Sequence, residues 1–443
     1  MLRTVLRATL GWILGLFFRR IDVSGANRVP PRGPVIFAIN HPNGLVDPLL
    51  LLTFVPRPVS FLAKAPLFEL PILGWVIRRL DTIPVYRRQD QADLRQNRAT
   101  FERARDLLGR GGTIAISPEG TSHSDPGLRP FKTGAARIAL GATLGTPVAI
   151  VPVGLFYTEK AVFRSAAHVS FGEPVVVDPA PPDSQGEPPA HLVAEVTGQI
   201  ERALIRAVLQ TDHQEALALA ARTERLLAAT GDAPATRRVE DVHATRRLLL
   251  EGYRTLKETE PNRLDRLIRR IDRLEAAFRS ANLDPGHPLP RAVTAAGVIR
   301  SALWLVFRIV GFLPLTLPGL LLHYPAYWAI GHLAARYAGA HDDVLATAKI
   351  IGAVLLFPLT WIGAGFLAGV TWGPAAGLMV ALGAPLSGYA ALKLVERFDR
   401  FVTGTRAIGL YLARPEQVRQ LSAERDRLRD DLAALGKTLG ILA

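Results

Sequence analysis

The stretch Val35-Ile36-Phe37-Ala38-Ile39-Asn40-His41-Pro42-Asn43-Gly44-Leu45-Val46-Asp47-Pro48 decides how this chain folds. Its first five residues are uninterruptedly apolar, the pattern of a strand covered on both faces, as in a parallel sheet flanked by helices. Such a strand delivers His41 to its carboxyl end, where open α/β sheets build their sites. Pro42 and Pro48 bias the residues before them to extended backbone. Pro48 and the four leucines behind it open a helix, with Asp47 as its candidate N-cap. The five residues between His41 and Asp47 therefore form a turn, and that turn can bring the carboxylate back onto the imidazole. A carboxylate so placed fixes the tautomer and stabilises the imidazolium while the other ring nitrogen takes an alcohol proton. The plainer readings are a polar loop histidine and a simple helix cap.

Working outward, apolar β-type runs recur at Val59–Leu62, Thr82–Val85, Thr113–Ile116 and Val148–Val153, with helical patterns at Gln91–Leu108 and Thr133–Leu144. The alternation predicts an α/β domain over 21–180 with a largely parallel sheet flanked by helices. The Pro-rich stretch 179–189 reads as a loop or linker. An amphipathic helical region over 190–290 follows. Within it Leu264, Leu267, Ile271, Leu274 and Phe278 recur at three- and four-residue spacing, which makes a packing stripe. The tail 396–443 reads as another amphipathic helix, striped by Leu421, Leu428 and Leu435.

Between these lies a C-terminal membrane-embedded helical region, 300–395. No charged residue occurs from Ile350 through Leu392, enough for a hairpin of two spans at about 350–370 and 374–395. Lys349 and Lys393 bracket it, which puts both ends in the cytoplasm by the positive-inside rule. The earlier segment 303–322 is interrupted by Arg308, Pro314 and Pro318, and its reading stays open between spanning, dipping in and lying at the interface. Residues 1–20 carry a short apolar run between arginines and read as an interfacial anchor or as a helix packed on the domain.

The formal net charge of +14 asks for an anionic counterpart, and a membrane surface or a nucleotide-bearing cosubstrate fits it. Nucleic acid is set aside, because no reading motif accompanies the charge. The chain has no cysteine, which excludes a thiol nucleophile, a disulfide framework and a thiolate metal site.

Two further runs carry chemistry. Asp81-Thr82-Ile83-Pro84-Val85-Tyr86-Arg87-Arg88 ends a short strand in paired arginines, which suit phosphate or carboxylate oxygens. Ile116-Ser117-Pro118-Glu119-Gly120-Thr121-Ser122-His123 ends another strand in a carboxylate, a glycine and hydroxyls. Leu128-Arg129-Pro130-Phe131-Lys132-Thr133-Gly134 then supplies two cations ahead of a helix. A fourth run, Ile150-Val151-Pro152-Val153-Gly154, reads as a core strand.

In this order and spacing the four runs resemble the glycerolipid acyltransferase superfamily of lysophosphatidate and glycerol-3-phosphate acyltransferases, over roughly residues 20–180. The resemblance implies an acyl-CoA or acyl carrier protein donor as cosubstrate, direct attack by the acceptor hydroxyl, and neither metal nor other cofactor. It makes His41 the general base and Asp47 its partner, and it assigns Arg87, Glu119, Gly120 and Thr121 to the acceptor, with Arg129 and Lys132 beside them. Two departures stand out: five residues, not four, separate His41 from Asp47, and Ser122 replaces the arginine of the usual Glu-Gly-Thr-Arg. Both are similar to the branch of fungal glycerol-3-phosphate/dihydroxyacetone-phosphate acyltransferases, which also have a long helical, membrane-embedded second half. The resemblance thus implies glycerol 3-phosphate, or dihydroxyacetone phosphate, as acceptor in phospholipid biosynthesis. Lysophosphatidate is the alternative acceptor, and a non-catalytic membrane scaffold is the alternative of a different class. The expected location is a bacterial inner membrane, with the catalytic domain facing the cytoplasm.

Overall fold

A computed structural model describes residues 2–87, 96–143, 145–184, 186–209, 214–228, 238–289, 295–339 and 342–441. Arg88, residues 91–95 and Leu144 of the sequence motifs lie outside these. The described residues form two compact units. One comprises Met1–Gln214, Arg238–His243 and Ala340–Thr347, and the other holds the remainder.

In the first unit the expected α/β architecture is present. The strands are β1 (Arg20–Ser24), β2 (Val35–Ile39), β3 (Ser60–Lys64), β4 (Ile83–Val85), β5 (Thr113–Ile116), β6 (Val148–Tyr157), β7 (Ala166–Phe171) and β8 (Val175–Val177). They make one sheet in the order β1-β7-β6-β2-β5-β3-β4, with β8 beside β6. Pairings are parallel except β6 with β7 and β6 with β8. β2 sits between β5 and β6, and all five of its side chains are buried. That explains its unbroken apolar sequence, since neither face meets water.

The helices of this unit are α1 (Leu2–Phe17), α2 (Val46–Phe54), α3 (Pro71–Arg79), α4 (Asn97–Gly109), α5 (Gly134–Leu140) and α6 (Ala190–Ala207). Ala104 and Leu108 of α4, Ile138 of α5 and Val193, Val196 and Ile200 of α6 pack on Ile36, Ile114 and Ile150 of the central strands. Gly154 admits α6 closely, since a Cβ there would lie 2.0 Å from the Ala207 carbonyl oxygen. α1 packs through Leu14 and Phe17, and its arginines are spent on the domain. Arg3 pairs with Asp81 at 2.8 Å, and Arg7 donates to the Thr53 and Val55 carbonyls. Its other face leaves Val5 and Trp12 exposed.

The second unit is helical, built from α7 (Gln214–Ala228), α8 (Val239–Thr259), α9 (Pro261–Ser280), α10 (Ala295–Ala338), α11 (Asp342–Trp372), α12 (Pro374–Ala413) and α13 (Pro415–Thr438), with Gln214 of α7 and the first residues of α8 and α11 in the first unit. The stripe of α9 is a packing face: Ile271, Leu274 and Phe278 share a core with Val418, Leu421 and Leu428. Arg270 joins Glu424 at 2.7 Å beside it.

Two helices, Asp342–Trp372 and Pro374–Phe398, are long and apolar enough to cross a membrane. Gly373, at φ 95°, makes the corner between them, a backbone region that favours glycine. The segment 303–322 is part of the 44-residue α10, which runs through Pro314, Pro318 and Pro325. Small residues bring these helices close. Gly365 faces Ala381 and Gly377, and Gly319 faces Ser387, the close backbone approach that small residues permit in helix pairs. Outward, Leu359, Ile362, Phe366, Val370, Leu378, Met379 and Leu382 stay exposed, an apolar surface far beyond what water tolerates.

Candidate active site

β2, β3, β4, β5 and β6 run parallel along the middle of the sheet, so their carboxyl ends share one edge. Just beyond these ends lie His41 after β2, Arg87 after β4, Glu119 after β5 and Lys160 after β6.

The turn after β2 closes as the sequence predicts, with one difference. Asp47 is not the cap of α2 but lies in its first turn, and Leu45 occupies the cap position. From there its carboxylate reaches back over the turn. His41 Nδ1 lies 2.8 Å from Asp47 Oδ2, and the Asn43 backbone N–H donates to the same oxygen at 2.7 Å. The Tyr157 hydroxyl donates to Asp47 Oδ1. Asp47 is fully buried, where an isolated carboxylate would be untenable without such donors. With Nδ1–H directed at Asp47, Nε2 is the ring nitrogen left open, and among the described residues it has no partner. Burial, followed by the charge and hydrogen bond of Asp47, pushes the Tyr157 phenol well above its usual value of 10. Tyr157 therefore acts as a fixed donor.

The second loop is locked to the first. Glu119 is buried, and both its oxygens are taken by protein donors: Oε1 accepts the His41 N–H at 3.2 Å, while Oε2 accepts the Arg129 N–H at 2.9 Å and His123 Nε2–H. The His123 N–H returns a bond to the His41 carbonyl at 3.1 Å. Gly120, at φ 76°, turns its carbonyl to Arg87, whose guanidinium donates to it at 3.2 Å. A Cβ on Gly120 would meet the Lys132 Nζ at 2.6 Å, so the ammonium lies directly over this glycine. Arg87 and Lys132 thus converge on the loop beside His41. The Arg129 guanidinium instead pairs with Asp125 at 2.7 Å, and only its backbone meets Glu119. The Thr121 hydroxyl bonds locally, to the Ser122 carbonyl at 3.4 Å.

Tyr157, Asn43 and Lys160 enter the site unannounced by the motifs. Asn43 is fully buried, with its side-chain amide on the Lys160 carbonyl at 3.1 Å. Lys160 Nζ donates to the Pro42 carbonyl at 3.4 Å and to Ser124 Oγ. The one available signal was the apolar Leu155-Phe156-Tyr157 continuing β6 past Gly154, which ends in a residue with a polar tip.

Residues 20–155 match the acyltransferase family. The match covers about a third of the chain. It is 28% identical to glycerol-3-phosphate O-acyltransferase 2 of Saccharomyces cerevisiae over 60% of this chain and 37% of that protein. It is 25% identical to glycerol-3-phosphate O-acyltransferase 1 of the same yeast over 81% of this chain and 61% of that one. It is 31% identical to a chloroplastic 1-acyl-sn-glycerol-3-phosphate acyltransferase of Brassica napus over 32% of this chain and 39% of that one. The chain thus spans less than two thirds of the length of each of these relatives. Within the matched residues lie His41, Asp47, Arg87 and the Glu119–Lys132 loop, whereas Tyr157 and Lys160 fall just past their end.

The Tyr157 phenol gives a test that needs no substrate. Its proton is held more tightly folded than unfolded, so the unfolded chain releases it first. The stability it contributes is complete below the ordinary tyrosine pKa of about 10 and declines as pH rises above it. Wild type and Tyr157→Phe should therefore give the same phenolate absorbance while folded. The wild type's stability advantage over the variant should shrink from about pH 10 upward. An extra phenolate appearing in folded wild type near pH 10 would contradict the burial of this group.

Proposed function

We propose that this chain transfers a fatty acyl group from acyl-CoA, or from acyl carrier protein, to the hydroxyl of glycerol 3-phosphate in phospholipid biosynthesis, with dihydroxyacetone phosphate as a related acceptor. The observation that carries the reading is the His41–Asp47 pair, with Nε2 unengaged beside a loop on which two cations converge. His41 Nε2 takes the acceptor's proton as its oxygen attacks the thioester carbonyl carbon. Asp47 stabilises the imidazolium, and Tyr157 and the Asn43 N–H hold Asp47 in place. As the tetrahedral intermediate collapses, the C–S bond breaks and the leaving thiolate takes the proton back from the imidazolium. Arg87 and Lys132 hold the acceptor phosphate. Glu119 fixes the loop on which they meet, and Gly120 and Thr121 shape it. Arg129 contributes through its N–H. Protein groups handle all the charge in this scheme, which gives a metal no role.

Lysophosphatidate is the second acceptor reading. The yeast glycerol-3-phosphate enzymes align with 60% and 81% of this chain, against 32% for the plant lysophosphatidate enzyme, and this favours glycerol 3-phosphate. A scaffold without turnover is disfavoured by the fully buried carboxylate held against a partly exposed histidine whose second ring nitrogen stays open. The two apolar helices support residence in a membrane. We place the protein in a bacterial inner membrane with the domain on the cytoplasmic side, where the donor and glycerol 3-phosphate are found and where fatty products enter the lipid.

Acyl transfer to labelled glycerol 3-phosphate, dihydroxyacetone phosphate and lysophosphatidate, measured on membranes, should be fastest with glycerol 3-phosphate. His41→Ala should lower kcat by about two to four orders of magnitude, and Asp47→Asn should impair it strongly. Preference for lysophosphatidate would install the second reading, and undiminished turnover in His41→Ala would end the mechanism. Neutralising Arg87 or Lys132 to Gln should raise the acceptor KM about tenfold or more, the weight of one charge-assisted hydrogen bond. The donor KM should barely change, and a shift in donor KM alone would reassign these cations to the donor's phosphates. The absence of native cysteine makes labelling clean for topology. A cysteine at the exposed Trp372 should react only from the far side of the membrane, and one at exposed Ser184 only from the cytoplasm. Labelling of both from one side would refute the hairpin.

A further inference from the structure

The turn bearing His41 and the loop bearing Glu119 are both bonded to residues more than two hundred positions downstream, in the first turns of α11. The Ser122 hydroxyl donates to Asp343 Oδ2 at 2.6 Å. The Leu45 backbone N–H donates to Thr347 Oγ1 at 3.1 Å. Gly44 lets this segment close down. At φ 24°, its Cβ would meet the Asp343 carbonyl oxygen at 2.9 Å and Thr347 Oγ1 at 3.1 Å. These residues of α11 belong to the same compact unit as the catalytic loops.

Acidic residues in a helix's first turn are favoured in their own right by the helix dipole, so Asp342 and Asp343 would mean little alone. The two directed hydrogen bonds to two separate catalytic loops are what the dipole does not explain. Lys160 accounts for the charge: Asp342, Asp343, Asp47 and Asp125 all bear on it and oppose the lowering of its pKa by burial. The Lys160 ammonium, on the Pro42 carbonyl, interacts with the carboxylates of α11 and with the buried Asp47 alike and so offsets their mutual repulsion.

We propose that Asp343 and Thr347 are positioning residues: they strap the His41 turn and the Glu119 loop together and hold Nε2 where the acceptor hydroxyl arrives. This deepens the acyl-transfer reading given above and rests on it. Neither residue touches the reacting atoms. Losing one should therefore misplace the base rather than weaken substrate binding, and small misplacements can lower turnover by about two orders of magnitude.

The test compares the full chain in membranes with Thr347→Val, Thr347→Ser, Asp343→Ala and Asp343→Asn. It reads kcat, both KM values, thermal stability and hydrogen–deuterium exchange of the peptide carrying Leu45. Thr347→Val and Asp343→Ala should lower kcat about 10- to 100-fold with melting temperature and both KM values nearly unchanged. Thr347→Ser and Asp343→Asn, which keep a hydrogen-bond acceptor, should restore turnover. Thr347→Val should also speed exchange at Leu45. Full kcat in the valine and alanine variants, or losses that serine and asparagine fail to rescue, would overturn the strap. Should His41→Ala match wild type, the acyl-transfer reading fails instead. The strap as a structural device then stands or falls on whether Leu45 exchange responds to Thr347→Val.

Discussion

A carboxylate taken fully out of water has to be answered by donors on every side, and Asp47 imposes that demand on the whole catalytic edge of the sheet. Its three donors come from three different places: an imidazole at the end of β2, a backbone N–H in the middle of the turn, and a phenol at the end of β6. Removing one partner of a buried charge is destabilising by about 3–5 kcal/mol, so these positions are fixed jointly. The β6 strand must run on to residue 157, the turn must carry a free N–H at Asn43, and α2 must begin early enough to point Asp47 inward. The spacing of five residues between His41 and Asp47 is then a matter of geometry. The carboxylate is presented from inside the first helical turn, two residues beyond the cap position at Leu45.

The same reasoning extends to Glu119, the second buried carboxylate. It draws donors from the His41 backbone, from Arg129 and from His123, and so welds the two loops into a single polar unit. Two loops from neighbouring strands would otherwise move independently. Held together by Glu119 beneath and, in the inference drawn above, by the first turns of α11, they present Nε2 and the paired cations as one preorganised surface. The charge that looked like a substrate ligand in the sequence thus works, by its contacts, as internal framework.

Much of the architecture was legible because apolar runs and their order determine it. The five residues Val35–Ile39 and the four Thr113–Ile116 are strands with those very bounds. The stripe on α9 found its partner in the tail helix. The missing parts share a physical cause. β1 at the sheet edge pairs only with β7 and is half-buried throughout, β7 between β1 and β6 is interrupted by His168 and Ser170, and β8 is only three residues long, so none of them shows as a long apolar run. At the site, a histidine next to a proline and an aspartate ahead of another announces a turn. Tyr157 and Thr347 announce nothing, because a single phenol at the end of an apolar run and a threonine in an ordinary helix acquire meaning only when the fold brings them to Asp47 and Leu45. The two cations ahead of α5 show the opposite failure: Arg129 and Lys132 look equivalent in sequence, yet one guanidinium is spent on Asp125 while the ammonium lies over Gly120.

Ser122 ties these strands of reasoning together. An arginine there would bring another cation to the loop, and it would meet the carboxylate of Asp343 where a short hydroxyl now makes a 2.6 Å bond. A serine subtracts a phosphate-binding charge from the loop but frees room for the first turns of α11 to press on Gly44 and Leu45. In the reading proposed here the acceptor phosphate is left to Arg87 and Lys132, which meet at Gly120, while Lys160 already interacts with Asp342, Asp343, Asp47 and Asp125. On that proposal an anionic headgroup meets uncompensated positive charge at Arg87 and Lys132 rather than at Lys160, whose charge four carboxylates already answer. The same proposal asks only that the acceptor's hydroxyl reach Nε2, the ring nitrogen that Asp47 leaves open, while its phosphate stays on these two cations.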